Sequence, residues 1–433
     1  MAATKINLHT ATFIVIANII GTGVFVSLGY QLDDIQSGFG IIMLWLLGGV
    51  IALCGALSYG ELASAMPRSG GEYHYLTQIF HPLLGFLSGW ISVTVGFAAP
   101  VALAAIALSD YVNKVYPAVN PLMLACVIVG LVTIMHSFTL KRSAIFQDVS
   151  TITKLALIVF FIAAGFILAS SQHLSILPVD SAVKEQSWKA IFSSSFAVSL
   201  NFIYYAYSGW NASAYVANDI ENPKVNIPKS LVYGTLIVTV LYILINYVFM
   251  NSAPLSELKG SHDGVAYVSA VHIFGTNGGN IMAILIALTL VSTVSSMVFI
   301  GPRVAQVMGE DMKQLKFLAK TNGYGVPVLA TVVQSIITIM LVTLKFKDVL
   351  LYAGFTLNLM TFFTVSGLFV MRISGKIKSD SYKTIGYPVT PFIFLILSAW
   401  TLYFTMSQYP TQSLLGLATI LAGSVIYFIR KPN

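Results

Sequence analysis

Two short stretches carry residue types that a continuous apolar helix avoids. Ile20-Gly21-Thr22-Gly23-Val24-Phe25 interrupts the first long apolar run, and Tyr205-Ala206-Tyr207-Ser208-Gly209-Trp210-Asn211 interrupts the sixth. Each glycine of the first pair lowers helix propensity by about 1 kcal/mol relative to alanine. A helix that breaks inside a bilayer frees N–H groups where its second half starts and carbonyls where its first half ends, and with no water nearby these groups need partners. The N–H groups of Thr22, Gly23 and Val24, at the positive end of a half-helix, suit a carboxylate. The carbonyls near Ile19 and Ile20, and those of Tyr204 to Tyr207 in the second stretch, suit an ammonium. Gly-x-Gly alone serves close helix packing equally well; the second break, in a corresponding place, favours a site for a small zwitterion. Its candidate lining is Ile20, Gly21, Thr22, Gly23, Val24, Tyr204, Tyr205, Tyr207, Ser208 and Asn211, with Tyr205 and Trp210 as aromatics able to shut it from outside.

Lys154 is the other residue out of place. It lies about six residues into the fifth apolar run, roughly 9 Å deep at 1.5 Å per residue, where an uncompensated ammonium costs about 2.5 to 3.5 kcal/mol. Either its flexible stem snorkels to the interface or it has polar partners inside, and the run Ser292-Thr293-Val294-Ser295-Ser296 in the eighth span offers hydroxyls. His136 is a lone imidazole, read as a packing residue. Asn18, Asn201 and Asn358 must face other helices or a cavity. Arg68, Glu72 and Tyr73, with Glu221 and Lys229, offer charge pairs that latch an inner gate or are simply surface ion pairs of small value. There is no Walker A sequence, no Cys/His metal spacing and no nucleophile elbow, so no cofactor or metal is expected. A membrane enzyme would show intramembrane His, Asp or Glu clustered for acid-base chemistry, and a channel would show a re-entrant filter or rings of charge. Neither pattern is present.

The elements that must position these residues follow from composition. Of 433 residues, 57% are hydrophobic and 9% charged, and the mean hydropathy is +0.83. A soluble enzyme is excluded, since soluble domains are about one quarter charged. Apolar runs of membrane-spanning length recur near 8–31, 38–65, 83–112, 121–140, 148–171, 189–217, 230–251, 279–307, 326–344, 348–372, 389–408 and 411–430. With the N-terminus inside, Lys154 apart, sixteen Lys and Arg fall on the inner side and six on the outer. That bias places both termini in the cytoplasm of a multi-pass cell-membrane protein and accounts for the net charge of +7 without a nucleic-acid partner. The expectation is one all-α polytopic domain spanning 1–433 in the lipid bilayer, with about twelve helices. Five spans (8–171) and five more (189–372) form an inverted repeat whose first members, spans 1 and 6, are broken; two helices at 389–430 are additions. The N-terminus reads as a retained span and not a signal peptide. Cys54 and Cys126 both sit in apolar runs, so a disulfide-linked partner is not indicated, nor is any obligate protein partner.

These motifs, with Pro67-Arg68-Ser69-Gly70-Gly71-Glu72-Tyr73 after the second span and Glu221-Asn222-Pro223 and Ile227-Pro228-Lys229 after the sixth, resemble those of the amino acid, polyamine and organocation transporter superfamily. Within it the chain is similar to the L-type amino-acid transporters and the bacterial serine/threonine and alanine exchangers. The resemblance implies alternating access by rocking helices around a central amino-acid site between spans 1 and 6. It also implies that the Lys154 ammonium occupies the place where sodium-coupled relatives hold Na⁺, bridging carbonyls near Gly21 to Thr293 and Ser295. The implied function is a sodium-independent permease or exchanger of small or neutral L-amino acids; proton-coupled symport of an amino acid or amine, through Lys154, stays open. In two places the chain departs from the family pattern: Ser208 stands where a glycine is usual and Tyr205 where phenylalanine is common.

Overall fold

A computed structural model describes residues 5–35, 37–138, 140–169, 191, 193–259, 261, 264–377 and 379–429, without the side chains of 139–148. The expected end of the fifth span at 171 and start of the sixth at 189 lie outside the described residues. The chain runs through α1 (Leu8–Ile19), α2 (Gly23–Asp34), α3 (Gly38–Ala65), α4 (Glu72–Ile79), α5 (Pro82–Ile91), α6 (Ala98–Val115), α7 (Pro121–Phe138), α8 (Leu140–Leu168), α9 (Ser194–Ala206) and α10 (Ala212–Tyr215). It continues through α11 (Pro223–Ser252), α12 (Leu255–Lys259), α13 (Val265–Asp311), α14 (Val328–Val342), α15 (Phe346–Ile373), α16 (Val389–Gln408) and α17 (Pro410–Ile429).

Ten of these segments are long and apolar enough to cross a membrane, α1 with α2 and α5 with α6 counting once each. The two expected spans outside that set are the sixth, cut into α9 and α10, and the ninth, whose apolar helix α14 has 15 residues. The fold is an all-α polytopic membrane fold. Side-chain caps start the helices where the sequence offers them. Asn7 accepts from the Thr10 N–H at 2.9 Å, and Ser193 accepts from Phe196 N–H at 3.1 Å, each satisfying one of the free donors of a first turn. The long α13 is two helices merged across a kink at Gly275, whose φ is +73°.

Burial separates the helices that hold the site from those that face lipid. The most apolar stretch of α1–α2 is 89% buried, whereas those of α16 and α17 are 28% and 22% buried. A helix apolar on all sides and buried on all sides belongs at the centre of a bundle. One ion pair fixes the scaffold around this centre. Arg372, at the end of α15, grips the fully buried Glu61 of α3 through two nitrogens, at 2.7 and 2.8 Å. The same carboxylate accepts from the Thr384 N–H at 2.7 Å, which satisfies a buried charge that alone would be costly.

Candidate functional site

Both expected breaks are present, and each packs into the other. Residues 20–22 are unwound between α1 and α2, and residues 207–211 form turns between α9 and α10. A Cβ on Gly23 would come within 2.5 Å of Ala206 Cα, so the start of α2 is seated directly on the end of α9. Gly209 has φ +99°, and a Cβ there would stand 2.6 Å from the Asn18 carbonyl oxygen. Both the conformation and the contact require glycine there.

The carbonyls expected to receive an ammonium from a ligand are held by the protein. Lys154 Nζ donates to Ile20 O at 2.7 Å, to Ala17 O at 3.4 Å and to Thr293 Oγ1 at 2.9 Å, and the Thr293 hydroxyl donates in turn to Ile20 O at 3.2 Å. Lys154 is 1% exposed; its head group does not snorkel, and its three protons have two acceptors at the negative end of α1 and one on α13. Ser295, expected beside it, bonds His136 Nε2 at 2.7 Å instead. Two residues on an α-helix are about 200° apart, so once Thr293 faces Lys154, Ser295 turns to α7.

The same rotation distributes the tyrosines of α9. Tyr205 reaches the first break, its hydroxyl 3.3 Å from Thr22 Oγ1. Tyr207 turns to α3, donating to Trp45 O at 3.2 Å. Tyr204 bonds Thr361 of α15. Tyr242 of α11, which has no local sequence signal, is the residue that joins the breaks: its hydroxyl lies 2.8 Å from Ile19 O and 3.1 Å from Ala206 O. The first-turn donors of α2 at Thr22, Gly23 and Val24 have no backbone acceptor among the described residues, as a carboxylate site requires, but they lie buried beneath Tyr205 and Ala206. The site is shut over them.

An open cavity lies on the other side of the second break. Its volume is about 50 Å³, room for a few water molecules and below the size of a ligand pocket, and Tyr204, Ser208, Gly209, Trp210, Asn211 and Asn18 line it. Of the candidate substrate residues, Tyr204, Ser208 and Asn211 reach this cavity; Ile20 to Val24, Tyr205 and Tyr207 do not. Trp210, expected to close the site together with Tyr205, stands within the second break, edge-on to Tyr59 at 4.7 Å and against Phe394. The turn residues Tyr207 to Gly209 carry it away from Tyr205 of α9.

The amino acid permease family profile matches residues 6–428. This chain belongs to the amino acid permease family. It is 25% identical to the serine/threonine exchanger SteT of Bacillus subtilis (strain 168), over 99% of this chain and 97% of that protein. It is 29% identical to large neutral amino acids transporter small subunit 2 of Mus musculus, over 98% of this chain and 80% of the relative, and 26% identical to the mouse b(0,+)-type amino acid transporter 1, over 98% and 87%. The permease is a transporter and not an enzyme, with an amino acid as its substrate and the bilayer as its medium.

Glu72 of this permease is the site residue that sequence reasoning placed elsewhere. Expected in a surface latch, it turns inward and lines the cavity, 3% exposed. Arg68 and Tyr73, its neighbours in the motif, instead bond Asp311 at 2.6 and 3.1 Å.

Proposed function

We propose that this permease carries small or neutral L-amino acids without sodium, by exchange or facilitated transport, with the carboxylate received at the Thr22–Val24 donors when α2 parts from α9. The observation that carries the reading is the Lys154 ammonium, which spans from Ile20 O to Thr293 Oγ1. A positive charge held between the first break and α13 leaves no place there for a cation and fixes the unwound end of α1. The named substrates of the relatives, serine and threonine for one and large neutral amino acids for another, support the same substrate class here. Residues 8–171 and 189–372 are read as the two inverted halves, with 389–430 added. The α1 face, where the Arg68 loop lies, is read as cytoplasmic in the cell membrane. One relative is named a small subunit; with Cys54 buried and Cys126 half-buried, no disulfide from this chain to a second subunit is proposed.

Purified protein in liposomes, offered a panel of radiolabelled amino acids, tests the reading. Uptake of a neutral amino acid should be stimulated by internal amino acid and unchanged when choline replaces Na⁺. Loss of uptake on sodium removal would overturn it.

A further inference from the structure

Glu72 opens α4, between the second and third membrane-crossing segments, yet it is buried, 3% exposed. Tyr59 Oη at 2.7 Å, Asn211 Nδ2 at 3.0 Å and Ser88 Oγ at 3.4 Å donate to its carboxylate, and the Tyr215 hydroxyl bonds it as well. The ionisable groups that face it are all tyrosines: Tyr59 from α3, Tyr75 from α4 itself, Tyr204 from α9 and Tyr215 from α10. From α5, α13 and α15 come Ser88, Met297 and Thr361. No Lys, Arg or His makes an ion pair with it among the described residues. A buried carboxylate without a cation is costly in its ionised form. Burial pushes its carboxyl up to about 7, against hydrogen bonds from Tyr59, Ser88 and Asn211 that pull it down. Through Asn211 it touches the second break itself.

We propose that Glu72 is a proton site of the transport cycle, carrying the proton while the cytoplasmic face is shut and releasing it to water when that face opens. The proposal rests on the transporter reading above. The step is the making and breaking of one carboxyl O–H bond, the proton coming from and returning to water. In the shut state the carboxyl titrates near 7; opened to water, it returns towards its ordinary 4.5. The shut state therefore binds the proton more tightly, and acid holds the face shut. Between pH 8 and pH 6 the open fraction should fall about tenfold.

The test uses full-length protein with Cys54 and Cys126 replaced by alanine and a cysteine in place of Ala217, which is fully buried in the shut state. Labelling by an impermeant maleimide is divided by that of the same thiol in SDS-denatured protein, which removes the thiol's own pH dependence. The quotient should fall about tenfold from pH 8 to pH 6 and become flat in Glu72→Gln. Tyr59→Phe, which removes a donor to the carboxylate, should move the midpoint to higher pH and decides the matter if Glu72→Gln does not fold. A flat quotient in the parent, or a pH dependence that neither variant changes, would overturn the proposal. No amino acid is needed for the labelling. Absence of transport therefore counts against the transporter reading alone, and flat labelling in a protein that transports counts against the proton site alone.

Discussion

Tyr242 and Lys154 hold the two breaks by different means, and their removal should read differently. Tyr242→Phe leaves the ring in place but takes the hydroxyl from Ile19 O and Ala206 O, the carbonyl ends of α1 and α9. Leaving a buried acceptor unmet costs about 1 to 3 kcal/mol. A drop in thermal stability of the detergent-solubilised protein, with transport reduced, is the expected outcome; unchanged melting would show that water replaces the hydroxyl. Lys154→Ala removes a charged donor from Ala17 O, Ile20 O and Thr293 Oγ1, worth about 1.5 to 3 kcal/mol per hydrogen bond to a charged group. Transport should fall steeply while substrate affinity changes by only a few-fold, because an equilibrium between access states shifts by the difference in bonding between them. Transport equal to the parent at equal expression would end the sodium-surrogate role. Lys154 stood out in the sequence because a charge in an apolar run is conspicuous. Tyr242 did not, because its partners lie 223 and 36 residues away and only tertiary packing brings them to it.

The broken helices α1–α2 and α9–α10 were readable from glycine placement, hydropathy and their matching order in the chain. Rotation about the helix axis was not, and it decides which of Thr293 and Ser295 meets Lys154, and which of Tyr204, Tyr205 and Tyr207 meets the cavity, the first break or α3. Membrane helices apolar on every side carry little periodicity to set that rotation. Glu72 was misplaced for a related reason: a carboxylate in a loop motif reads as solvent-facing until the helices that cover it are known. A side-chain bond between the breaks, Thr22 Oγ1 to Tyr205 Oη, gives a test of whether α2 and α9 part during transport. Thr22→Val and Tyr205→Phe remove the same bond, so their effects should not add. Each is expected to favour the state in which α2 and α9 are apart, the one that receives the carboxylate, so the apparent affinity for substrate should rise. The double variant should match the more affected single one, and additive effects would mean that the two residues act through separate contacts.

At the scale of the whole molecule, the α1 face is shut by contacts that join all the moving parts to the scaffold. Arg68 bonds Asp311, and Arg303 bonds Asp219 at 2.8 Å while stacking over Phe299. Ser69 and Asn218 exchange two hydrogen bonds, Gly70 N–H donates to Tyr215 O, and Ile6 pairs through its backbone with Asp219 and Glu221. Asp219 and Glu221 follow α10, Arg303 and Asp311 lie on α13, and Ile6 precedes α1, so neither α1 nor α10 can swing without releasing some of them. The ion pairs are partly exposed, with 39% and 30% of the side chain accessible for Arg68 and Asp311 and 24% and 44% for Arg303 and Asp219. After screening by solvent each contributes no more than about 1 kcal/mol, and salt weakens both. The closure is therefore a light one, which suits a carrier that must open repeatedly. Replacing both Arg68 and Arg303 with glutamine should raise labelling of a cysteine at Ala217 by several-fold. High salt should raise it in the parent and leave the double variant unchanged. If the parent is insensitive to salt and the variant labels like the parent, the backbone and Ser69–Asn218 bonds alone keep this face shut.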